Sequence, residues 1–118
     1  ASLNNLAYAL AVHKNAPAEA LPIAQQAYEV SGGTASSADT LGWIYYLLGK
    51  HEEADKFLAE AATRAPDNPE IHLHLAHNLA ALGQSDAARA ALAKSLQLDL
   101  MFAARDDVKK LRAQLGVR

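Results

Sequence analysis

The sequence of 118 residues has no cysteine and few aromatic residues, which make up 6% of it. The absence of cysteine excludes disulfides and thiol chemistry, but it leaves both cytoplasm and periplasm open, so the localisation is unknown. Lys and Arg number 11 against 13 Asp and Glu, which gives a net charge of −2. This balance provides no basic face for nucleic acid or for an anionic membrane surface.

Long apolar runs are also missing. No run approaches the roughly 18 residues of a membrane-spanning helix, and no signal peptide opens the chain. Hydrophobic residues nevertheless make up 51% of the sequence, and alanine supplies much of that share. Because alanine has the highest helix propensity, we expect one all-α domain. The start at Ala1, just before an apolar helical pattern, leads us to expect a segment of a longer protein.

A 34-residue repeat organises the chain. Ala20, Ala54 and Ala88 follow one another at this constant interval, and Gly49 recurs as Gly83 one period later. Turn residues in this register separate the helices from one another. The sequence predicts seven helices, at 2–13, 17–30, 35–48, 52–64, 69–82, 86–98 and 104–115.

The first unit of the repeat carries one extra residue. Leu6 and Ala7 precede their counterparts Leu41 and Gly42 by one position more than the repeat period. We expect the extra residue in the turn that follows the first helix, at 13–17.

The middle unit shows the repeat positions most completely. They are Leu41, Gly42, Tyr45, Gly49, Ala54, Ala61 and Pro66. With the 34-residue period and the paired helices, these positions resemble the tetratricopeptide repeat family. The resemblance implies a right-handed α-solenoid, a single domain at 1–118 with repeats at 1–33, 34–67 and 68–101 and a capping helix at 103–116.

Three stretches, at 39–43, 68–71 and 102–115, are similar to the tails of long bacterial tetratricopeptide proteins. Some of those proteins are tied to exopolysaccharide or envelope export. This resemblance implies a bacterial origin.

In the family that the chain resembles, the first helix of each repeat lines a concave groove. On the middle repeat, spacing of three and four residues places the candidate contacts on one stripe of that helix. Carrying the register across adds two positions in each neighbouring repeat. The predicted partner-binding residues are Asn4, Tyr8, Asp39, Trp43, Tyr46, Leu47, Leu73 and His77.

Three of these residues, Tyr8, Trp43 and His77, form a predicted ladder of flat rings along the groove. One interpretation is that the rings anchor a peptide, because aromatic side chains bring large contact area at modest entropy cost. The other interpretation is that they pack on one another and fill the groove. The small side chains of Ala80 and Ala81 favour a pocket towards the third repeat.

Metal binding and catalysis find little support in the sequence. Among His72, His74 and His77, only the last two share a side of the helix, and two imidazoles are too few for a zinc site. Glycine-rich phosphate loops and spacings typical of an activated nucleophile are missing as well. We therefore expect no metal, no cofactor and no enzymatic activity.

Two functions remain open. The first is a scaffold that binds a peptide or protein partner in the concave groove, without nucleic acid and without membrane insertion. The alternative is a structural self-assembly module, possible within a bacterial exopolysaccharide or envelope export system. In that case the uncapped first repeat would stack on further repeats or on a second copy of the chain.

Overall fold

The computed structural model describes residues 2–117, so that Ala1 and Arg118, the ends of the predicted domain, lie outside the described residues. Within this range the chain forms seven α-helices and no strand, which confirms the predicted all-α solenoid. The division into three repeats and a capping helix stays a prediction. The helices are α1 (Leu3–Tyr8), α2 (Pro17–Ser31), α3 (Ala35–Leu47), α4 (His51–Arg64), α5 (Pro69–Ala81), α6 (Ser85–Leu98) and α7 (Asp106–Leu115).

Side-chain caps fix where α3 and α5 begin. The hydroxyl of Thr34 accepts the backbone N–H of Ser37 at 3.2 Å. The amide oxygen of Asn68 accepts the N–H groups of the first turn of α5, where Pro69 takes the first helical position. Such caps satisfy donors that have no partner inside the helix. They explain why α3 and α5 start at the residues that the sequence predicts.

Consecutive helices pack side by side, and α3 also contacts α1 on one side and α5 on the other. The groove is the name used below for the surface that these three helices form together. Small residues let the helices approach closely, since Ala20, Ala54 and Ala88 are completely buried. The molecule measures 40 × 25 × 25 Å along its principal axes. None of the described helices combines the length and the apolar character needed to cross a bilayer.

The tightest of these approaches lies between α3 and α4. A Cβ atom on Gly42 would stand 2.7 Å from Cγ of Leu58 and 3.0 Å from the backbone nitrogen of the same residue. Leu58 is itself fully buried, as is Ala61 one turn further along α4. Glycine at position 42 is therefore required by packing against α4.

The extra residue of the first unit lies inside its helix and not in the turn, so that expectation was wrong. Asn15, Gly49 and Gly83 have φ values of 52°, 78° and 77°, which makes them equivalent left-handed turn residues. Because they follow one another at the unmodified repeat period, the register is already restored at Asn15. The preceding segment Ala9–His13 is π-helical. A π-helical turn holds one more residue than an α-helical turn, and it absorbs the insertion.

Replacing Gly42 by alanine should destabilise the fold by about 1–3 kcal/mol, because the new methyl group overlaps Leu58. This loss should outweigh the roughly 1 kcal/mol that alanine gains over glycine inside a helix. Urea unfolding followed by circular dichroism measures the change. The matched control is Ala76→Gly at the equivalent position of the next repeat, which should also lower the free energy of unfolding because Ala76 is completely buried. A Gly42→Ala protein more stable than wild type would contradict the packing argument.

Candidate functional site

Seven of the eight predicted groove residues have side chains that are at least partly exposed. Leu47 is the most exposed of them, with 40% of its surface accessible. Only Leu73 is fully buried. The partly exposed residues are Asn4, Tyr8, Asp39, Trp43, Tyr46 and His77.

The prediction that Leu73 lines the groove was wrong. Its side chain is completely buried in a cluster with Val108 and Leu111 of α7. Val108 follows His74 by one full repeat period, so α7 repeats the register of α5. α7 shares this apolar cluster with α5, and Oδ2 of Asp107 on α7 lies 3.3 Å from Nε2 of His77 on α5. A helix expected only to cap the solenoid thus also covers the third-repeat end of the groove.

The centre of the groove is occupied by stacked rings. The Trp43 ring lies 4.4 Å from the Tyr46 ring and 4.1 Å from the His74 ring, and the planes are within 9° and 19° of parallel. Two rings cannot share one face of Trp43 at these distances, so they cover opposite faces. His77 tilts against Trp43 at 5.8 Å. Tyr46, Trp43, His74 and His77 are called the ring stack below.

The predicted ladder is broken between the first and second repeats. The Tyr8 ring contacts the ring of His13, with centroids 6.1 Å apart, and lies outside the ring stack. Asn4 is tied to the second repeat through its amide nitrogen, which donates to the hydroxyl of Ser36 at 3.0 Å. Among the described residues, Tyr8 thus pairs with a ring of its own repeat and Trp43 with rings of the second and third repeats.

His74 is held between two carboxylates. Its Nδ1 lies 2.8 Å from Oδ1 of Asp39, and its Nε2 lies 3.5 Å from Oε2 of Glu70. The first of these contacts crosses from α3 to α5 and fixes the imidazole against Trp43. The polar contact and the ring contact thus position the same side chain.

A pocket of about 350 Å³ opens in the groove on the first-repeat side of the ring stack. The prediction placed a pocket towards the third repeat, beyond His77. There, however, α7 brings Oδ2 of Asp107 to 3.3 Å from Nε2 of His77. The space that the small side chains were expected to leave is bordered by α7. The pocket, called the acceptor pocket below, is lined by Asn4, Asn5, Tyr8, Ala9, His13, Ser36, Asp39, Thr40, Glu70 and His74.

Several lining residues were missed at the sequence level. Asn5, Thr40 and His74 occupy one equivalent position in the three repeats, with the inserted residue of the first unit between Asn5 and Thr40. Each lies one residue after a predicted groove position. Ser36 and Glu70 form a further pair one repeat period apart. The repeat register could have found the first three if the stripe had been drawn two residues wide, and Ser36 and Glu70 if the stripe had been extended by one turn towards the start of the helix.

Burial and an ion pair change the pKa values of His77 and Asp107 at the third-repeat end of the groove. Burial lowers the pKa of His77 below its ordinary value of 6.5, while the hydrogen bond to Asp107 opposes this shift. Burial acts to raise the pKa of Asp107, but the hydrogen bonds and charge of Arg105 bring it below its usual value. Among residues 2–117, no group of three or more His, Asp or Glu side chains is arranged to hold a metal ion.

Comparison with known proteins identifies the repeat. The family model described as tetratricopeptide repeat matches residues 45–115. The TPR repeat-containing protein PA4667 of Pseudomonas aeruginosa is 35% identical over 74 residues, which are 63% of this chain. The matched part spans only 12% of that relative's own length.

Solved structures share the fold. The Sgt2 TPR domain from Aspergillus fumigatus superposes with a TM-score of 0.83 at 17% identity, covering 97% of this chain and 74% of that one. The type III secretion chaperone SycD of Yersinia enterocolitica, in complex with a peptide of the translocator YopD, gives 0.73 at 18% identity, covering 97% and 84%. PcrH with the chaperone binding region of PopD gives 0.73 at 23% identity, covering 97% and 83%.

The pKa of His77 should be lower in the folded protein than in the unfolded chain, because burial disfavours the imidazolium. The unfolded chain then binds this proton more tightly. The contribution of His77 to the free energy of unfolding should therefore be present above pH 6.5 and be lost as the pH falls below it. NMR titration of the ring protons measures the pKa directly. Asp107→Asn should lower it further, and a rise in that variant would contradict the assigned role of Asp107.

Proposed function

The chain belongs to the tetratricopeptide repeat family, and we propose that it is a non-enzymatic scaffold that binds a peptide or protein partner along the groove. The groove runs across α1, α3 and α5 and combines an apolar segment with a polar pocket. An extended partner could contact both. The chain provides the binding surface, and the partner's sequence determines the specificity.

The observation that carries this proposal is the line of partly exposed side chains beside the acceptor pocket. Leu47 offers apolar surface at one end, and Tyr8 lines the pocket at the other. Between them, both faces of Trp43 are covered by neighbouring rings. The ring stack therefore forms a rigid floor whose edges are available to a partner. A rigid surface favours binding because little side-chain entropy is lost.

The solved structures with this fold support the proposal by analogy. Two of them, SycD with a YopD peptide and PcrH with the chaperone binding region of PopD, are complexes with a segment of another protein. At 18% and 23% identity the similarity extends to the fold alone. We therefore propose the mode of binding, a segment held by stacked helix pairs, without the identity of those partners.

Truncating the exposed groove residue Leu47 to alanine should weaken partner binding by about 1 kcal/mol or more, as expected for an interface anchor. The measurement is affinity capture from a lysate of the producing organism, followed by titration of the captured protein. Trp43→Ala should have a larger effect, with circular dichroism used to check that the fold is kept. The matched control is Leu100→Ala, which removes a leucine that is 75% exposed and lies outside the groove. Equal capture by all three variants and the wild type would refute groove binding.

A second function, self-assembly through the first repeat, is favoured by three exposed apolar side chains. Leu3, Leu6 and Val12 lie on α1 and its π-helical extension. Burial of such surface against a second copy would contribute about 25 cal/mol per Å² before the costs of association. Light scattering over a range of concentrations should show a rising mass that Leu6→Glu abolishes. A monomer mass at every concentration would exclude this function for the chain.

A further inference from the structure

The acceptor pocket contains more hydrogen-bond acceptors than donors. The ring of His74 lies between the carboxylates of Asp39 and Glu70. Its Nδ1 is at hydrogen-bonding distance from Asp39, 2.8 Å. Oε2 of Glu70, which lies 3.5 Å from Nε2 of His74, is a buried atom that forms no hydrogen bond with the described residues. An unpaired carboxylate oxygen of this kind is costly unless a donor is supplied.

Asn4 adds a second acceptor of the same kind. Its amide nitrogen donates to the hydroxyl of Ser36 at 3.0 Å. Its amide oxygen is buried and has no donor within residues 2–117. Asn4 and Glu70 line the pocket from two different helices, α1 and α5, and each has one buried oxygen that forms no hydrogen bond with the described residues. Both observations indicate that the pocket is completed by a group rich in N–H.

Negatively charged groups outnumber positively charged ones around the pocket. The carboxylates of Asp39 and Glu70 lie in its wall, and Asp107 lies nearby. One guanidinium, Arg105, serves two of these three carboxylates, at 2.9 Å from Glu70 and 3.0 Å from Asp107. The phenol of Tyr8 responds to this environment. Its pKa is raised by burial and then by the charges of Glu70 and Asp39, against the opposing charge of Arg105.

The pocket is large enough for one long side chain. Its volume of about 350 Å³ is at the lower end of the range of about 300–1,000 Å³ for ligand sites. The Tyr8 ring forms part of the wall, and an aromatic face attracts a cation electrostatically. A carboxylate side chain in the same space would face Asp39 and Glu70 directly. The pocket thus discriminates by charge as well as by size.

We propose that the acceptor pocket receives an arginine or lysine side chain of the bound partner, with the carboxylates of Asp39 and Glu70 as its acceptors. This inference rests on the proposed function and specifies one contact within it. A guanidinium carries five N–H donors, so it can bond to more than one acceptor at once. The partner segment is therefore one in which a basic residue stands beside the apolar residues that lie along the ring stack.

The test uses three peptides that differ at one position. They are acetyl-Gly-Leu-Xaa-Leu-Gly-amide with arginine, citrulline or glutamate as Xaa, where citrulline keeps the shape of arginine without its charge. NMR titration of the ¹⁵N-labelled chain measures affinity and maps the site. The arginine peptide should bind about tenfold tighter than the citrulline peptide, with shifts at Tyr8 and Asp39, because charge-assisted hydrogen bonds are about twice as strong as neutral ones. The glutamate peptide should bind most weakly.

Two variants test the assigned acceptors. Asp39→Asn and Glu70→Gln should each reduce the ratio between the affinities for the arginine peptide and for the citrulline peptide. The matched control is Asp86→Asn, which removes a carboxylate that is 98% exposed on α6, outside the pocket. Higher salt should also reduce the preference, since the interaction is between charges at an open pocket.

Three outcomes would overturn the inference. They are equal binding of arginine and citrulline peptides, equal effects of Asp39→Asn and Asp86→Asn, and no shifts in the pocket up to millimolar peptide. The first two leave the groove as a binding surface if shifts still map to it. Failure of the proposed function would appear separately, as partner capture that is insensitive to the Leu47 and Trp43 substitutions.

Discussion

The close approach of α3 and α4 at Gly42 is the constraint on which the rest of the structure depends. A single methyl group at that position would come within 2.7 Å of Leu58, so the two helices can be this close only because glycine has no side chain. Their distance sets how far α5 can approach the pair from the other side. Each helix pair has an apolar face that only its neighbours cover. A change in the distance between two helices at one crossing would therefore displace the helices that stack on them.

The same stacking brings histidine and carboxylate side chains of different helices into contact in the groove. Side chains of successive first helices come together because neighbouring repeats stack against one another. Asp39 meets His74, which stands one position further along its own repeat, and His77 meets Asp107 in the next interval. Both of these contacts therefore join two different helices. The ring stack and the acceptor pocket are products of neighbouring repeats and do not belong to any one of them.

Much of the fold could be predicted because the same residue types recur in the sequence at a fixed interval. The constant repeat spacing and the turn glycines located the helices, and the caps at Thr34 and Asn68 agree with the sequence. The site was less predictable. Leu73 was misplaced because its burial depends on α7, a helix far away in the sequence that looked like a simple end. His74 was missed because its position between Asp39 and Trp43 depends on the shift between repeats, which a pattern within one helix does not contain.

The position of Trp43 has a practical consequence. It is the single tryptophan of the chain, and its ring is in contact with Tyr46, His74 and His77 at the centre of the groove. Its fluorescence therefore arises from the floor of the groove and from nowhere else in the protein. Events that move these neighbouring rings, or that change the charge on either histidine, will alter the emission. The molecule carries its own optical reporter, and the groove can be followed in solution without attaching a label.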